Sequence, residues 1–254
     1  MPLSVIKVAS GGLPVRAAAA PGGLPVLIAT NGYGVAVTPV AAGGMSVTDV
    51  GGTLFGSATT TLNPADMSGT GVLTNGNLTF KNNNGSDARI GVRSIGGHTK
   101  AGGGKYYFEW TLNTNISQFS CGGISPVTQA YSTFTFNGAG GSGAATDGSG
   151  GMYVNGNINV VQNSGGTVLG DSNGMAIDFD NLKMWVYAGA AGQWNSGTLA
   201  AQNPATNTGG MNISALAADT YYVTVQLYGN QNQVTLNFGG SAYTFTRPAG
   251  FSNW

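Results

Sequence analysis

The stretch GKYYFEWTLN, residues 104–113, alternates large apolar side chains with other residues. A period of two predicts an antiparallel β-strand with one buried face and one solvated face. Glu109 then falls on the outer, solvated face of this strand. The apolar side chains that share the inner face are Tyr106, Phe108, Trp110 and Leu112.

The same alternation recurs along the chain, between turns rich in glycine and asparagine. The clearest further runs lie at 174–187, 221–229 and 233–240. Asn-Gly pairs at 75–76 and 155–156 indicate two hairpin turns. About ten such runs separated by turns predict an all-β sandwich or barrel. We place this domain at residues 53–254, behind a segment of different character at residues 1–52.

Low charge limits the classes of partner that the chain can bind. Charged residues make up 7% of the 254 residues, and nine basic residues balance nine acidic ones. Nucleic-acid binding needs clustered lysine and arginine to replace phosphate counterions, and we find no such cluster. Glycine and proline interrupt the uncharged stretch 17–48 too often for a membrane-spanning helix. We therefore expect no nucleic-acid partner and no membrane insertion.

The N-terminal segment contains a short apolar repeat. GGLPV occurs at 11–15 and 22–26, YGVAV follows at 33–37 and GGMSV at 43–47. Each copy is too short to build a core, because a lone two-stranded ribbon is at best marginally stable in water. Its apolar side chains need cover from other copies of the chain, with three favoured, or from a groove on a larger assembly. The predicted assembly residues are Leu13, Val15, Leu24, Val26, Val35 and Val37.

Four stretches of the second part resemble, in the right order, the motifs of SPRY domains. They are GGGKYYFEWTLN at 102–113, CGGIS at 121–125, LGDSNGMAIDFDNLKMWVYAGAAGQWNSG at 169–197 and VTLNFGGSAYTFTRPAGFSNW at 234–254. The resemblance implies a concanavalin-like sandwich of two antiparallel sheets. SPRY domains are interaction modules that hold protein or occasionally sugar partners with loops at one edge, so the resemblance also implies a binding role.

Two features resemble bacteriophage proteins in particular. The ending LNFG…PAGF…W is most similar to SPRY domains of phage proteins, and the GGLPV repeat resembles the beginning of phage head-fibre and tail-fibre proteins. The chain departs from the SPRY pattern at 170–174, where one residue is added, and at 187–197, where alanine replaces Asn-Gly. These departures affect the expected loop shapes rather than the expected fold.

Residues with catalytic or metal-binding chemistry are few and scattered. Glu109 is the only glutamate, whereas glycoside hydrolysis needs two carboxylates that flank the bond. Asp178 and Asp180 share a face and could bind Ca²⁺, but we expect that face to be solvated, and Asp-Asn is ordinary turn chemistry. His98 is the only histidine, too little for a zinc site. We therefore expect no enzyme activity, no metal and no cofactor.

Aromatic side chains near predicted loop ends are the candidates for binding. Tyr131 and Trp194, with Asn195 beside it, could stack on a sugar or anchor a protein partner. The alternative is that these rings close the rim of the sandwich. Phe134 and Phe136 share a face and are expected in the core.

These features predict a bacteriophage virion structural protein of head-fibre, decoration or tail-fibre type. Its N-terminal repeat would form a homo-oligomer, with a trimer favoured, and would dock on other virion proteins. Its SPRY-like domain would face a host-surface glycan or protein. The alternative is a secreted β-sandwich protein that binds or degrades polysaccharide.

Overall fold

The computed structural model describes residues 60–83, 89–114, 121–131, 141–163 and 165–254, together with the backbone of four short strands nearer the N-terminus. The chain divides into two compact units, Met1–Thr59 and Thr60–Trp254, and each is described by itself. The boundary predicted between residues 52 and 53 lies outside the described residues. Within the described ranges, no helix is long and apolar enough to cross a membrane.

The four N-terminal strands form two antiparallel ribbons. They are β1 (Ala17–Ala19) with β2 (Pro25–Leu27), and β3 (Val35–Val40) with β4 (Gly44–Asp49). Proline cannot donate a ladder hydrogen bond, so Pro25 and Pro39 suit ribbons whose described strands pair on one side only. The predicted assembly residues within these strands are Val26, Val35 and Val37. Those that lie outside the described residues are Leu13, Val15 and Leu24.

The Thr60–Trp254 unit consists almost entirely of strands. In chain order they are β5 (Leu62–Met67), β6 (Gly71–Thr74), β7 (Thr79–Asn82), β8 (Ile90–Thr99), β9 (Lys105–Thr114), β10 (Cys121–Ser125), β11 (Ala144–Asp147), β12 (Gly151–Val154), β13 (Asn157–Asn163), β14 (Ser172–Asp178), β15 (Lys183–Ala188), β16 (Gln193–Trp194), β17 (Met211–Asn212), β18 (Thr220–Leu227), β19 (Gln233–Asn237) and β20 (Ser252–Asn253). Single 3₁₀ turns occupy Lys100–Gly102 and Pro204–Thr206.

These strands form two sheets. One has seven strands in the order β13-β12-β11-β10-β18-β8-β5. The other has nine, in the order β16-β15-β14-β9-β19-β7-β6, with β17 beside β15 and β20 beside β9. Every described pair is antiparallel except β20 with β9, which is parallel. The predicted all-β, antiparallel architecture is confirmed.

The main core lies between the two sheets and is built by the predicted alternation. From β9, Phe108, Trp110 and Leu112 point inward, as the sequence predicts. Complete burial of a large apolar side chain contributes about 1.5–3 kcal/mol, so this layer supplies the main driving force for folding. The inward side chains that meet them from neighbouring strands include Ile124, Met175, Ile177, Met184, Val223, Val225, Val234 and Leu236.

The outer face of the nine-stranded sheet is also covered, which the alternation did not predict. A second apolar cluster lies there, and Tyr107 of β9 and Trp185 of β15 are both completely buried in it. Residues 243–251 of the C-terminal segment cross this face before the chain joins the sheet as β20. The prediction that each strand leaves one face solvated is therefore wrong here. The members of the outer cluster are Tyr107, Ala176, Trp185, Trp194 and Phe251, with Tyr187 and Tyr243 against them.

One carboxylate holds the C-terminal segment in place. Glu109 lies on the outer face of β9, as predicted, but it is only 2% exposed. Its oxygens accept hydrogen bonds from the backbone N–H groups of Thr244, at 2.7 Å, and Phe245, at 2.9 Å. The Tyr107 hydroxyl donates a third bond, at 2.8 Å. We call these four residues the Glu109 clamp.

The last residue of the chain closes one part of the main core. The Trp254 ring packs edge-on against Phe108 and Tyr106, with centroid distances of 5.9 and 5.6 Å. Its indole N–H donates to the Gly96 carbonyl at 3.0 Å. Trp254 is therefore part of the core.

Replacing Trp254 should destabilise the protein strongly. Trp254→Ala removes a buried ring and should lower the free energy of unfolding by about 3–5 kcal/mol. The control Thr246→Ala changes an exposed residue in the same segment and should have an effect within about 0.5 kcal/mol. Urea unfolding followed by tryptophan fluorescence measures both variants. Similar values for the two variants would contradict this role of Trp254.

The Glu109 clamp makes a separate prediction. Glu109→Gln keeps the size of the side chain but sets an amide N–H₂ group against backbone donors. The free energy of unfolding should fall by about 1–3 kcal/mol, because at least one buried donor loses its acceptor. Asp219→Asn is the control, because this half-buried carboxylate accepts a single described bond, from the Thr220 N–H. Equal losses in the two variants would show that the clamp is not formed.

Candidate functional site

The acidic residues considered for catalysis or metal binding serve the fold. Asp178 is completely buried, so the prediction that it faces solvent is wrong. Its Oδ2 lies 3.0 Å from the Lys105 ammonium nitrogen, and the Asn181 backbone and side-chain N–H groups both donate to its carboxylate. Asp180 remains exposed and accepts from the Gly104 N–H. The two carboxylates therefore cap a turn, and no group of metal-ligating residues occurs in the described ranges.

The single histidine is part of an aromatic stack. The His98 ring stacks on Tyr106 at a centroid distance of 3.6 Å and meets the edge of Trp254 at 4.8 Å. Burial in this stack lowers the pKa of His98 below its ordinary value, because the charged form loses hydration. These contacts give His98 a packing role beside the C-terminus.

Tyr131 lies against the outer face of the seven-stranded sheet. Its ring covers the Arg93 guanidinium, at 4.5 Å from the ring centroid, and its hydroxyl bonds to Asp66 at 2.8 Å. Burial raises the pKa of the Tyr131 hydroxyl. A side chain at Gly91 would overlap the Tyr131 ring, so the glycine permits this packing. Arg93 also pairs with Asp66 and donates to Ser125 and to the Gln129 carbonyl. Through the Gln129 bond it ties the loop after β10 to the sheet.

Trp194 and Asn195 lie on the other sheet, at the end of β16. Each is 7% exposed. Trp194 packs edge-on against Tyr187 at 5.2 Å, and the Asn195 Oδ1 accepts from the Val186 N–H at 2.8 Å. The structure therefore does not bring Tyr131 together with this pair. Direct ligand contacts by these three residues stay a prediction, and Phe134 and Phe136 lie outside the described residues.

A pair of partly exposed aromatic rings lies next to Trp194. Tyr187, on the outer face of β15, and Phe245, in the C-terminal segment, meet at a centroid distance of 4.6 Å and an angle of 45°. Both side chains are half-buried. The ring of Trp194 packs edge-on against Tyr187, and the Glu109 clamp fixes the backbone of Phe245. We call Tyr187 and Phe245 the aromatic shelf.

Polar groups border the aromatic shelf. A side chain added at Gly189 would overlap the Ser172 carbonyl oxygen and lie 3.2 Å from Phe245 and 3.4 Å from the Cβ of Asp171, so these residues converge on one spot. The Ser172 hydroxyl bonds to those of Thr111, at 2.8 Å, and Thr244, at 3.1 Å. The shelf is thus a partly exposed apolar surface with Asp171 and the hydroxyl groups of Ser172 and Thr244 beside it.

Two border groups keep hydrogen-bonding capacity for a ligand. Within the described part of the chain, neither the Asp171 carboxylate nor the Tyr187 hydroxyl has a hydrogen-bond or ion-pair partner. Asp171 is half-buried. A Cβ added at Gly192 would lie 4.0 Å from the Tyr187 hydroxyl oxygen, so Gly192 is a neighbour of that hydroxyl. Small-ligand sites combine aromatic and apolar side chains with a few polar groups that fix the orientation of the ligand.

Sequence reasoning did not single out the shelf residues. The alternation places Met184 and Val186 in the core, and Trp185 and Tyr187 then fall on the face expected to be solvated. Two aromatic residues on a supposedly solvated face are a signal that this face is covered. Phe245 carries no such signal, because it reaches Tyr187 only through the fold of the C-terminal segment.

Comparison with known proteins identifies the fold. No protein-family model and no curated protein matches the chain. The SPRY domain of human HERC1 is similar in structure, with a TM-score of 0.50 and 15% identity, over 69% of this chain and 96% of that domain. The TRIM65 PSpry domain gives a TM-score of 0.46 at 16% identity, over 70% of this chain and 92% of that one. A human SPRY domain gives 0.44 at 13% identity, over 66% and 94%.

At such identities the likeness to the HERC1 domain shows the fold and nothing further. The resemblance seen in the sequence is thus confirmed for the fold, while the similarity to phage proteins stays a prediction. The chain contains an antiparallel β-sandwich with the concanavalin-like fold of SPRY domains.

Proposed function

We propose that this chain is a structural protein of a bacteriophage virion, of head-fibre, decoration or tail-fibre type. Its N-terminal unit anchors it, and its SPRY-like sandwich is displayed as a binding domain, with host attachment as the expected role. The observation that carries the proposal is the division into two units of different construction. One has a large core between two sheets, and the other has short paired ribbons.

The ribbons support an assembly role for the N-terminal unit. The β1–β2 and β3–β4 ribbons have strands of three and six residues. A ribbon of that size is at best marginally stable alone in water, so it gains stability from further copies or from a larger assembly. Three copies of the repeat would bury Val26, Val35 and Val37 against one another. The expected partners are further copies of this chain and other virion proteins.

The chemistry of the sandwich favours binding over catalysis. Glu109 and Asp178 direct their oxygens to the protein's own donors, and the Asp147 carboxylate accepts bonds from Ser149, Gly151 and Tyr153. Carboxylates held in this way are poor acids and bases for a substrate. The two rings of the aromatic shelf, in contrast, are partly exposed, and the nearby Asp171 carboxylate and Tyr187 hydroxyl make no described bond within the protein.

A secreted polysaccharide-binding protein is the second candidate. The same aromatic shelf favours it, because binding polysaccharide requires only the sandwich. The two candidates differ in the N-terminal unit, for which a secreted binding protein has no evident use. Oligomeric state therefore distinguishes them.

Light scattering of the full chain and of a chain that begins at Thr60 tests the proposal. We expect a trimer for the full chain and a monomer for the truncated one, because the sandwich has its own core. A double variant, Val35→Asp with Val37→Asp, should dissociate the full-length trimer. Ile95→Asp is the control, because Ile95 is 58% exposed on the sandwich and its substitution should leave the trimer intact. A full chain that stays monomeric would contradict self-assembly through the repeat.

A further inference from the structure

We propose that the aromatic shelf binds a neutral pyranose unit of a glycan. This inference rests on the proposed function of the sandwich as a binding domain, and it assigns a ligand class and a site to that domain. It concerns Tyr187 and Phe245 with the border groups of Asp171 and Thr244, and it does not involve Tyr131.

The shelf suits the apolar face of a sugar ring, and its polar border suits the hydroxyl groups of the sugar. A pyranose has an apolar face of C–H groups, and aromatic rings with a negative π-face attract such groups while excluding water. Tyr187 and Phe245 contact each other at a centroid distance of 4.6 Å and an angle of 45°, and both remain half-exposed, so together they offer an apolar contact surface for a ligand the size of one sugar ring. The neighbouring hydroxyl groups of the sugar then meet the polar border.

The border supplies hydrogen-bond groups that suit hydroxyl groups. The Asp171 carboxylate can accept from two sugar hydroxyls, and the Tyr187 hydroxyl can both donate and accept. Because both groups lack a partner among the described residues, the sugar displaces only water from them. Thr244 is exposed, and because its hydroxyl donates to Ser172, it offers the sugar its acceptor lone pairs.

The charge at the border selects a neutral sugar. Asp171 and the Phe245 ring both lie beside Gly189. No described lysine or arginine pairs with the Asp171 carboxylate. Arg247, two residues after Phe245, directs its guanidinium to Asn253. An anionic sugar would therefore meet an uncompensated negative charge, whereas a neutral one would not.

Contacts within the protein position the shelf before any ligand arrives. Trp194 packs against Tyr187, the Glu109 clamp binds the backbone of Phe245, and both Asp171 and Phe245 fit beside Gly189 because that residue has no side chain. A preorganised site loses little conformational entropy on binding, which compensates for the small contact area of one sugar.

A protein partner is the competing occupant. Val168 and Leu169 are 47% and 48% exposed and precede Asp171 by three and two residues. A partner protein would use these side chains as well as the shelf, whereas a single pyranose would contact the shelf and its border.

Saturation-transfer NMR on the full chain tests the inference. The probes are the methyl pyranosides of glucose, galactose, mannose and N-acetylglucosamine, with N-acetylneuraminic acid as the anionic probe. We expect transfer to the ring protons of at least one neutral sugar, with a dissociation constant on the order of millimolar. No transfer to any neutral sugar, or equal binding of the anionic probe, would overturn the inference.

Matched variants locate the site. Phe245→Leu and Asp171→Asn should each weaken sugar binding about tenfold or more, as expected for the loss of one strong contact. Tyr222→Phe and Asp219→Asn are the controls, because they change a half-buried tyrosine and aspartate away from the shelf. They should leave sugar binding unchanged. Sugar binding that is unaffected by the shelf variants would overturn the assignment of this site.

A second assay separates failure of the inference from failure of the proposed function. The fluorescently labelled full-length protein is mixed with isolated bacterial envelopes. The envelopes are treated beforehand either with periodate, which destroys glycans, or with protease. We expect loss of binding after periodate and its retention after protease. Loss after protease alone would overturn the inference in favour of a protein partner while leaving a binding role in place. Trimer formation without any sugar binding would leave the virion assembly role intact and overturn only the glycan site.

Discussion

The burial of the Glu109 carboxylate constrains the whole outer side of the nine-stranded sheet. A buried carboxylate is costly unless hydrogen bonds replace its hydration. In this protein the replacement comes from the N–H groups of Thr244 and Phe245, together with the Tyr107 hydroxyl. Those bonds exist only if the C-terminal segment folds back over β9. The buried charge and the course of the chain end therefore depend on each other.

The folded-back segment turns a two-layered sandwich into one with a covered outer face. Tyr243 donates to the Tyr107 carbonyl, and Phe251 packs into the outer apolar cluster. The same segment brings Phe245 into contact with Tyr187 of β15. The aromatic shelf is thus a consequence of the clamp, because Tyr187 belongs to β15 and Phe245 to the C-terminal segment that the clamp holds.

The local pattern of the sequence was sufficient to predict the main core. Phe108, Trp110 and Leu112 alternate along one strand, and the structure places all three between the sheets. Alternation reports only which residues share a face. It cannot report what lies on the second face, because the segment that covers Glu109 is 135 residues further along the chain. The same limit explains why Asp178, predicted to be solvated, is buried.

The site was predictable only in part, for a related reason. The place of Trp194 near a loop end predicts exposure, but its ring is buried and packs edge-on against Tyr187. Tyr131 was identified by the same rule, yet its ring covers Arg93 on the opposite sheet. Whether an aromatic side chain at a loop end is exposed depends on long-range packing, and local sequence carries little information about that packing.

Amide hydrogen exchange of Thr244 and Phe245 in the folded full chain tests the central claim most directly. If the Glu109 clamp forms, these two amides should exchange as slowly as those of the β9 strand, because they are bonded to a buried carboxylate. If they exchange as fast as an unbonded amide in an exposed loop, the C-terminal segment is not held by Glu109. The clamp would then not be the cause of the covered face or of the aromatic shelf.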